Sequence, residues 1–213
     1  MKLFGYWRSS ATWRVRIALN LKGLAYVYEP VNLLKDEQNA GAYVRGNPQA
    51  LVPTLATDSG AKLTQSLAIV EYLEDAFPEP AILPRDPVLR AKARAIAAAI
   101  ACEAQPFGNL RTMRYLETEL GLSDDARAAW LDRWVGGSLR AVEALAGETS
   151  GRFAVGESPT VADAFVVPQL ATARRFNVDL SGCDRLLKIE ETCRALDPFI
   201  RAHPDNQPDK PKG

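Results

Sequence analysis

The sequence predicts two domains: a small α/β domain over residues 1–80 and an all-helical domain over residues 87–213. Three observations predict this. Strand-like and helix-like segments alternate through roughly the first 80 of the 213 residues. Pro78, Pro80, Pro84 and Pro87 then fall within ten residues and punctuate a linker. Beyond them the hydrophobic periodicity is helical almost throughout.

Lys2 to Trp7 reads as a strand. The next helix is expected over Ala11 to Lys22. Its residues Ala11, Val15, Ala18 and Leu19 fall at i, i+4, i+7 and i+8 on one apolar face, and Gly23 is the stop. Tyr26 to Val31 is a second strand, followed by a loop and a short helix to about Arg45. Val52 to Thr57 and Lys62 to Gln65 are short strands on either side of the turn Asp58-Ser59-Gly60. Ser66 to Phe77 is an amphipathic helix with Ser66 at its cap. The order is therefore βαβ followed by ββα.

In the second domain, Asp86-Pro87 is an N-cap followed by proline at the first helical position. One long helix is expected from Asp86 to Leu120, interrupted at Pro106, and another from Ser123 to Ala146. Thr160 to Arg174 opens on Thr160-Val161-Ala162-Asp163, close to a capping box with Asp in place of Glu. Asp184 to Ala202 is the last helix. The polar, proline-rich tail from His203 is expected to be mobile.

Composition limits the chemistry. Lys and Arg number 26 and Asp and Glu also 26, so neither nucleic acid nor an anionic membrane is indicated as a partner. No apolar run approaches membrane-spanning length. The N-terminus reaches Arg8 without a signal-peptide apolar region and reads as cytosolic. The three cysteines, Cys102, Cys183 and Cys193, form no CxxC pair. Cys102 is expected to be a small buried residue on an alanine-rich helix. The single histidine, His203, leaves a His-based metal site almost without ligands and would have to serve any Ser/His/Asp triad. Chemistry here calls for a borrowed nucleophile.

Three segments of the first domain suggest a site. Ser9 and Ser10 stand where a strand meets a helix, at the end that collects unpaired N–H groups and favours anions. A serine there also serves as a plain N-cap. Leu51-Val52-Pro53-Thr54 places a proline at the start of a strand, and a cis Val52–Pro53 bond would expose the Val52 backbone to an extended ligand. Gln65-Ser66 is a second polar pair at a strand-to-helix corner, where an ordinary cap is again the simple reading. Two helix N-termini and a free edge would suit a small peptide bearing carboxylates.

At this point the chain resembles the zeta-class glutathione transferases. The resemblance rests on Ser9-Ser10-Ala11-Thr12-Trp13-Arg14-Val15-Arg16-Ile17-Ala18-Leu19, on Asn47 to Leu55, Gln65 to Glu74 and Thr160 to Gln169, and on Ala173 to Leu180. It covers nearly the whole chain. It implies a thioredoxin-like N-terminal domain, an all-α C-terminal domain, glutathione as cofactor and a homodimer. It implies that Ser9 holds the glutathione sulfur as a thiolate beside Ser10, that Val52 pairs with the cysteinyl backbone, and that Gln65 and Ser66 hold the γ-glutamyl end. Gln105 and Asn109 would be the helical domain's contribution to the same cleft. Ala11 stands where the family has a cysteine, so that cysteine has no role here.

The implied reaction is glutathione-dependent cis–trans isomerisation of maleylacetoacetate, or of the shorter maleylpyruvate. Conjugation or dehalogenation of small α-halo acids would use the same thiolate, and a non-catalytic binding module would use only the fold. A free thiol ionises near ~8.5, so the site must favour the anion. The substrate is a dicarboxylate, which arginines clamp bidentately. Arg8, Arg111 and Arg175 are the candidates, set against the ordinary fate of surface arginines. Trp7 and Trp13 are expected to pack the domain.

Overall fold

The computed structural model describes residues 1–211 and divides into two compact units. Unit 1 joins Met1–Ile82 to the chain from Ala195 onward, and unit 2 is Leu83–Arg194. The linker lies where the prolines place it. The domain boundary at the C-terminal end does not: the chain from Ala195 belongs with the α/β unit, not with the helical one.

Unit 1 is built on a four-stranded sheet of order β2-β1-β3-β4. Its strands are β1 (Lys2–Gly5), β2 (Val27–Pro30), β3 (Thr54–Ala56) and β4 (Lys62–Thr64). β1 runs parallel to β2 and antiparallel to β3, and β3 is antiparallel to β4. This is the thioredoxin-like arrangement. Helices α1 (Ser10–Leu21) and α3 (Ser66–Ala76) pack together, and α2 (Gly41–Val44) is a single turn after two short 3-10 turns. Leu3 and Leu55 are fully buried. Gly5 is required because a Cβ there would stand 2.2 Å from the Thr12 methyl carbon, so α1 lies directly on β1. Gly23 ends α1 as expected, with φ 65°.

α1 departs from the amphipathic expectation. Every residue from Thr12 to Asn20 is buried, including Arg14 and Arg16. The cause is the C-terminal segment. The expected helix Asp184 to Ala202 is two helices, α9 (Asp184–Arg194) in unit 2 and α10 (Asp197–Ala202) in unit 1, and α10 packs against α1. Arg16 Nε donates to Ala202 O at 3.0 Å, and Asn20 Nδ2 donates to Pro198 O at 2.9 Å. The Trp13 and His203 rings meet edge to face at 5.1 Å. The tail expected to be mobile is therefore held by hydrogen bonds and an ion pair as far as Lys210; the last two residues lie outside the described ones.

Unit 2 is helical. α4 (Pro87–Ala98) starts on Asp86, whose carboxylate accepts from Leu89 N at 2.8 Å. A π-helical turn, Ala99–Ala104, and a 3-10 turn, Gln105–Phe107, break the long helix before α5 (Leu110–Thr118). α6 (Asp124–Leu131) and α7 (Gly137–Gly147) are joined by a second π turn, Asp132–Gly136. α8 (Val161–Arg175) is buried almost throughout and opens on the expected capping box: Asp163 accepts from Thr160 N at 2.7 Å, and Thr160 Oγ1 accepts from Ala162 N at 3.2 Å. Cys102, in the first π turn, is exposed rather than buried, because that turn carries its side chain off the packed face; Cys183 and Cys193 are buried and free. No helix among the described residues is long and apolar enough to cross a membrane.

Candidate active site

The sheet register gathers the three N-domain segments at one end. Phe4, Thr54 and Thr64 lie in one row across β1, β3 and β4. The chain therefore leaves β1, enters β3 and leaves β4 at the same edge. Ser9, Val52 and Gln65-Ser66 are the residues just beyond these three crossings.

Ser9 is the N-cap of α1, with φ −66° and ψ 119°. Its Oγ accepts from Thr12 N at 3.2 Å, and its own N–H donates to Tyr6 O at 2.9 Å. The hydroxyl proton is left to donate elsewhere. Ser10 is the first helical residue. The loop between β1 and α1 is held at both backbone groups of one residue: Trp7 N donates to Asp209 Oδ2 at 2.8 Å, and Trp7 O accepts from Arg16 Nη2 at 2.9 Å. Arg8 is exposed, its guanidinium 5.6 Å from the centre of the Trp7 ring.

Val52 belongs to an apolar cluster with Tyr6 and Val31, and the Val52–Pro53 peptide is cis. Leu51 O, one residue earlier, accepts from Tyr43 Oη and Asn47 Nδ2, both at 2.6 Å. The Val52 N–H and C=O have no hydrogen-bond partner among the described residues. A fixed loop thus offers one unpaired peptide edge.

The helix cap at α3 differs from expectation. Gln65, not Ser66, is the N-cap, and it has φ 68° and no side-chain cap bond. Its amide turns aside to Gln49 Oε1 at 2.5 Å. The first N–H groups of α3 are therefore open to an anion, and the helix dipole favours one there. Ser66 is buried at 5% exposure, and its Oγ accepts from Arg14 Nη1 at 3.4 Å. Arg14, 1% exposed, places a cation behind this helix start. None of Ser9, Val52, Gln65 and Ser66 ionises, so the site's positive potential comes from two helix ends and nearby arginines. Burial lowers the Arg16 pKa and raises that of Tyr28, whose phenol donates to Asp209 Oδ2 at 3.2 Å.

In unit 2, Asn109 is the N-cap of α5: its Oδ1 accepts from Thr112 N and its Nδ2 donates to Pro106 O, both at 2.9 Å. Its amide thus has a structural task. The half-buried Gln105 side chain has no hydrogen-bond partner among the described residues. Arg111 is exposed on α5. Arg175, exposed at the end of α8, lies 4.6 Å from the centre of the Phe176 ring. Arg174 beside it is instead bound to Glu190. A cleft of about 290 Å³ lined by Phe4, Tyr43, Thr54 and Lys62 includes none of the expected site residues.

Two residues escaped the sequence reading, Arg14 and Asp209. Arg14 had a signal, a charge inside an otherwise apolar helix. Asp209 had none beyond its place in a polar tail.

Residues 8–76 match the N-terminal domain of glutathione S-transferases. The chain is 44% identical over 213 residues to the maleylacetoacetate isomerase of Pseudomonas aeruginosa, covering 99% of each. It superposes with a TM-score of 0.94 and 42% identity on the holo structure of maleyl pyruvate isomerase, a bacterial zeta-class enzyme, covering 99% of this chain and 100% of that one. With a TM-score of 0.88 and 43% identity it also matches the maleylacetoacetate isomerase of Anaeromyxobacter dehalogenans with glutathione bound in its active site, covering 99% and 97%.

Proposed function

We propose, from the premise that this chain belongs to the zeta class of the glutathione S-transferase family, that it is a glutathione-dependent isomerase converting maleylacetoacetate to fumarylacetoacetate. The observation that carries the proposal is the single sheet edge at which two helix N-termini and the unpaired Val52 peptide meet. This edge fits glutathione: an open α3 start suits its γ-glutamyl carboxylate, and Val52 suits its cysteinyl backbone. When bound, glutathione supplies the thiolate that adds to the substrate alkene and leaves after the resulting single bond has rotated.

Each residue has a defined task in this reading. Thr12 N–H fixes the Ser9 hydroxyl by donating to its oxygen, so the Ser9 proton is directed to the sulfur. A hydrogen bond to the charged form, together with the α1 dipole, favours the thiolate. Ser10 presents its backbone N–H at the same helix end. Gln65 and Ser66, backed by Arg14, hold the γ-glutamyl end. Arg8, Arg111 and Arg175 bind the substrate carboxylates, and Gln105 offers a free amide to cofactor. Asn109 acts by fixing the start of α5. We read the enzyme as a cytosolic homodimer, as the family resemblance suggests; sedimentation tests the assembly.

The test is the ultraviolet decay of maleylacetoacetate and of maleylpyruvate, each with and without glutathione. Glutathione-dependent loss of maleylacetoacetate well above maleylpyruvate supports the proposal, and the opposite preference makes maleylpyruvate the substrate. Activity on neither, with glutathione still bound, moves the function to conjugation of small α-halo acids. Failure to bind glutathione leaves a binding module of the same fold.

A further inference from the structure

The segment from Ala195 leaves the helical unit and returns to the α/β unit, ending against the loop that carries Ser9. Its path is fixed at several points. Arg16, fully buried in α1, reaches Ala202 O with Nε and Trp7 O with Nη2. Gln207 Nε2 donates to Arg201 O at 2.9 Å and His203 O at 2.8 Å, folding the chain back on itself. Lys210 pairs with Asp205 at 2.6 Å. These contacts deliver Asp209 Oδ2 to the Trp7 N–H and the Tyr28 phenol. Trp7 N–H has no other partner among the described residues, and Tyr6 O, the next carbonyl back, is the acceptor of Ser9 N–H. The Tyr6–Ser9 turn is thereby held from its outer side by a residue 202 positions away.

We propose that Asp209 is a positioning residue for the reaction: by binding the Trp7 N–H it sets the Tyr6–Ser9 turn and so the aim of the Ser9 hydroxyl. This rests on the reading that Ser9 holds the glutathione thiolate. A carboxylate accepts from a backbone N–H more strongly than a neutral group does. Loss of that bond leaves the turn held by Arg16 at Trp7 O and by its own Ser9 N–H to Tyr6 O bond alone, and the small displacement this permits at the Ser9 hydroxyl lowers turnover without removing any group that touches the ligand. Glutathione contacts at Val52, Gln65 and Ser66 lie on other segments and are unaffected.

The test compares Asp209→Ala, Ser9→Ala and the double variant in the full-length enzyme. The readouts are kcat, KM for glutathione, the pH titration of the bound thiol followed by thiolate absorbance, and hydrogen exchange at the Trp7 amide. Asp209→Ala is expected to speed Trp7 exchange, lower kcat roughly 10-fold and raise the bound-thiol titration, with KM for glutathione within about 3-fold. Because it acts through Ser9, the kcat loss should largely vanish in the Ser9→Ala background. Asp209→Asn retains an acceptor oxygen and should recover most of the loss. If Asp209→Ala is recovered unfolded, Tyr28→Phe, which removes the phenol that orients Oδ2, replaces it with the same signature at smaller size. Faster Trp7 exchange with unchanged kcat, or an equal kcat loss with and without Ser9, overturns the proposal alone. A silent Ser9→Ala overturns the Ser9 reading and this proposal with it.

Discussion

Ser9 has two separable tasks, and substitution can divide them. Its Oγ caps α1 through Thr12 N, and in the proposed mechanism its proton stabilises a thiolate. Loss of a serine N-cap to alanine costs about 1 kcal/mol, whereas glycine in its place costs only about a few tenths. A hydrogen bond to a charged group contributes about 1.5–3 kcal/mol, and 1.36 kcal/mol corresponds to one pKa unit, so either change should raise the bound-thiol pKa by about 1–2 units. Below that pKa each unit costs tenfold in thiolate, so kcat near neutral pH should fall about 10–100-fold in both variants. Urea unfolding should separate them, Ser9→Ala being the less stable by most of a kilocalorie. Thiolate absorbance of bound glutathione gives the titration, and calorimetry should show its affinity little changed, since Val52, Gln65 and Ser66 are intact. An unchanged titration in Ser9→Gly would refute the reasoning, leaving Ser9 a cap and the helix end the source of activation.

Three further outcomes follow from other contacts. Lys22, with a fully buried side chain, pairs with Glu74 at 2.7 Å and donates to Phe77 O and Pro80 O; Lys22→Met should cost about 3–5 kcal/mol in urea unfolding, and a loss below about 1 would show the pair to be dispensable. Burial raises the Asp163 carboxyl from an ordinary 3.8 to about 6 despite donors from Ala154 and Thr160. Its folded-state pKa lies above the unfolded one, so the stability from this group is fully present below about 3.8 and is lost as pH rises through about 6. About two units correspond to about 3 kcal/mol, and the stability difference between the parent and Asp163→Asn should change by that order between pH 4 and pH 7; a constant difference would contradict it. Arg175→Ala should raise KM for the dicarboxylate about 10-fold or more while leaving glutathione affinity alone, and equal effects on both would remove Arg175 from substrate binding.

The sequence by itself determined what local interactions decide. The caps at Ser9, Asp86, Ser123 and Thr160 are formed by side chains reaching two or three residues along the chain, so their signals lie within four residues. The strands, the linker and the stop at Gly23 are local for the same reason, and so is the serine motif from which the proposed site was read. Only the tertiary structure decided what crosses long separations. The return of residues 195–211 to the first unit buried the second face of α1, gave Arg16 a carbonyl partner at Ala202 and carried Asp209 to Trp7. The open start of α3 was hidden likewise, because Gln65 adopts φ 68° where no glycine announces it, and its amide is drawn off by Gln49, sixteen residues earlier. Periodicity registers that a face is apolar or polar; it carries no record of which distant segment covers that face, and that pairing exists only once the chain has folded.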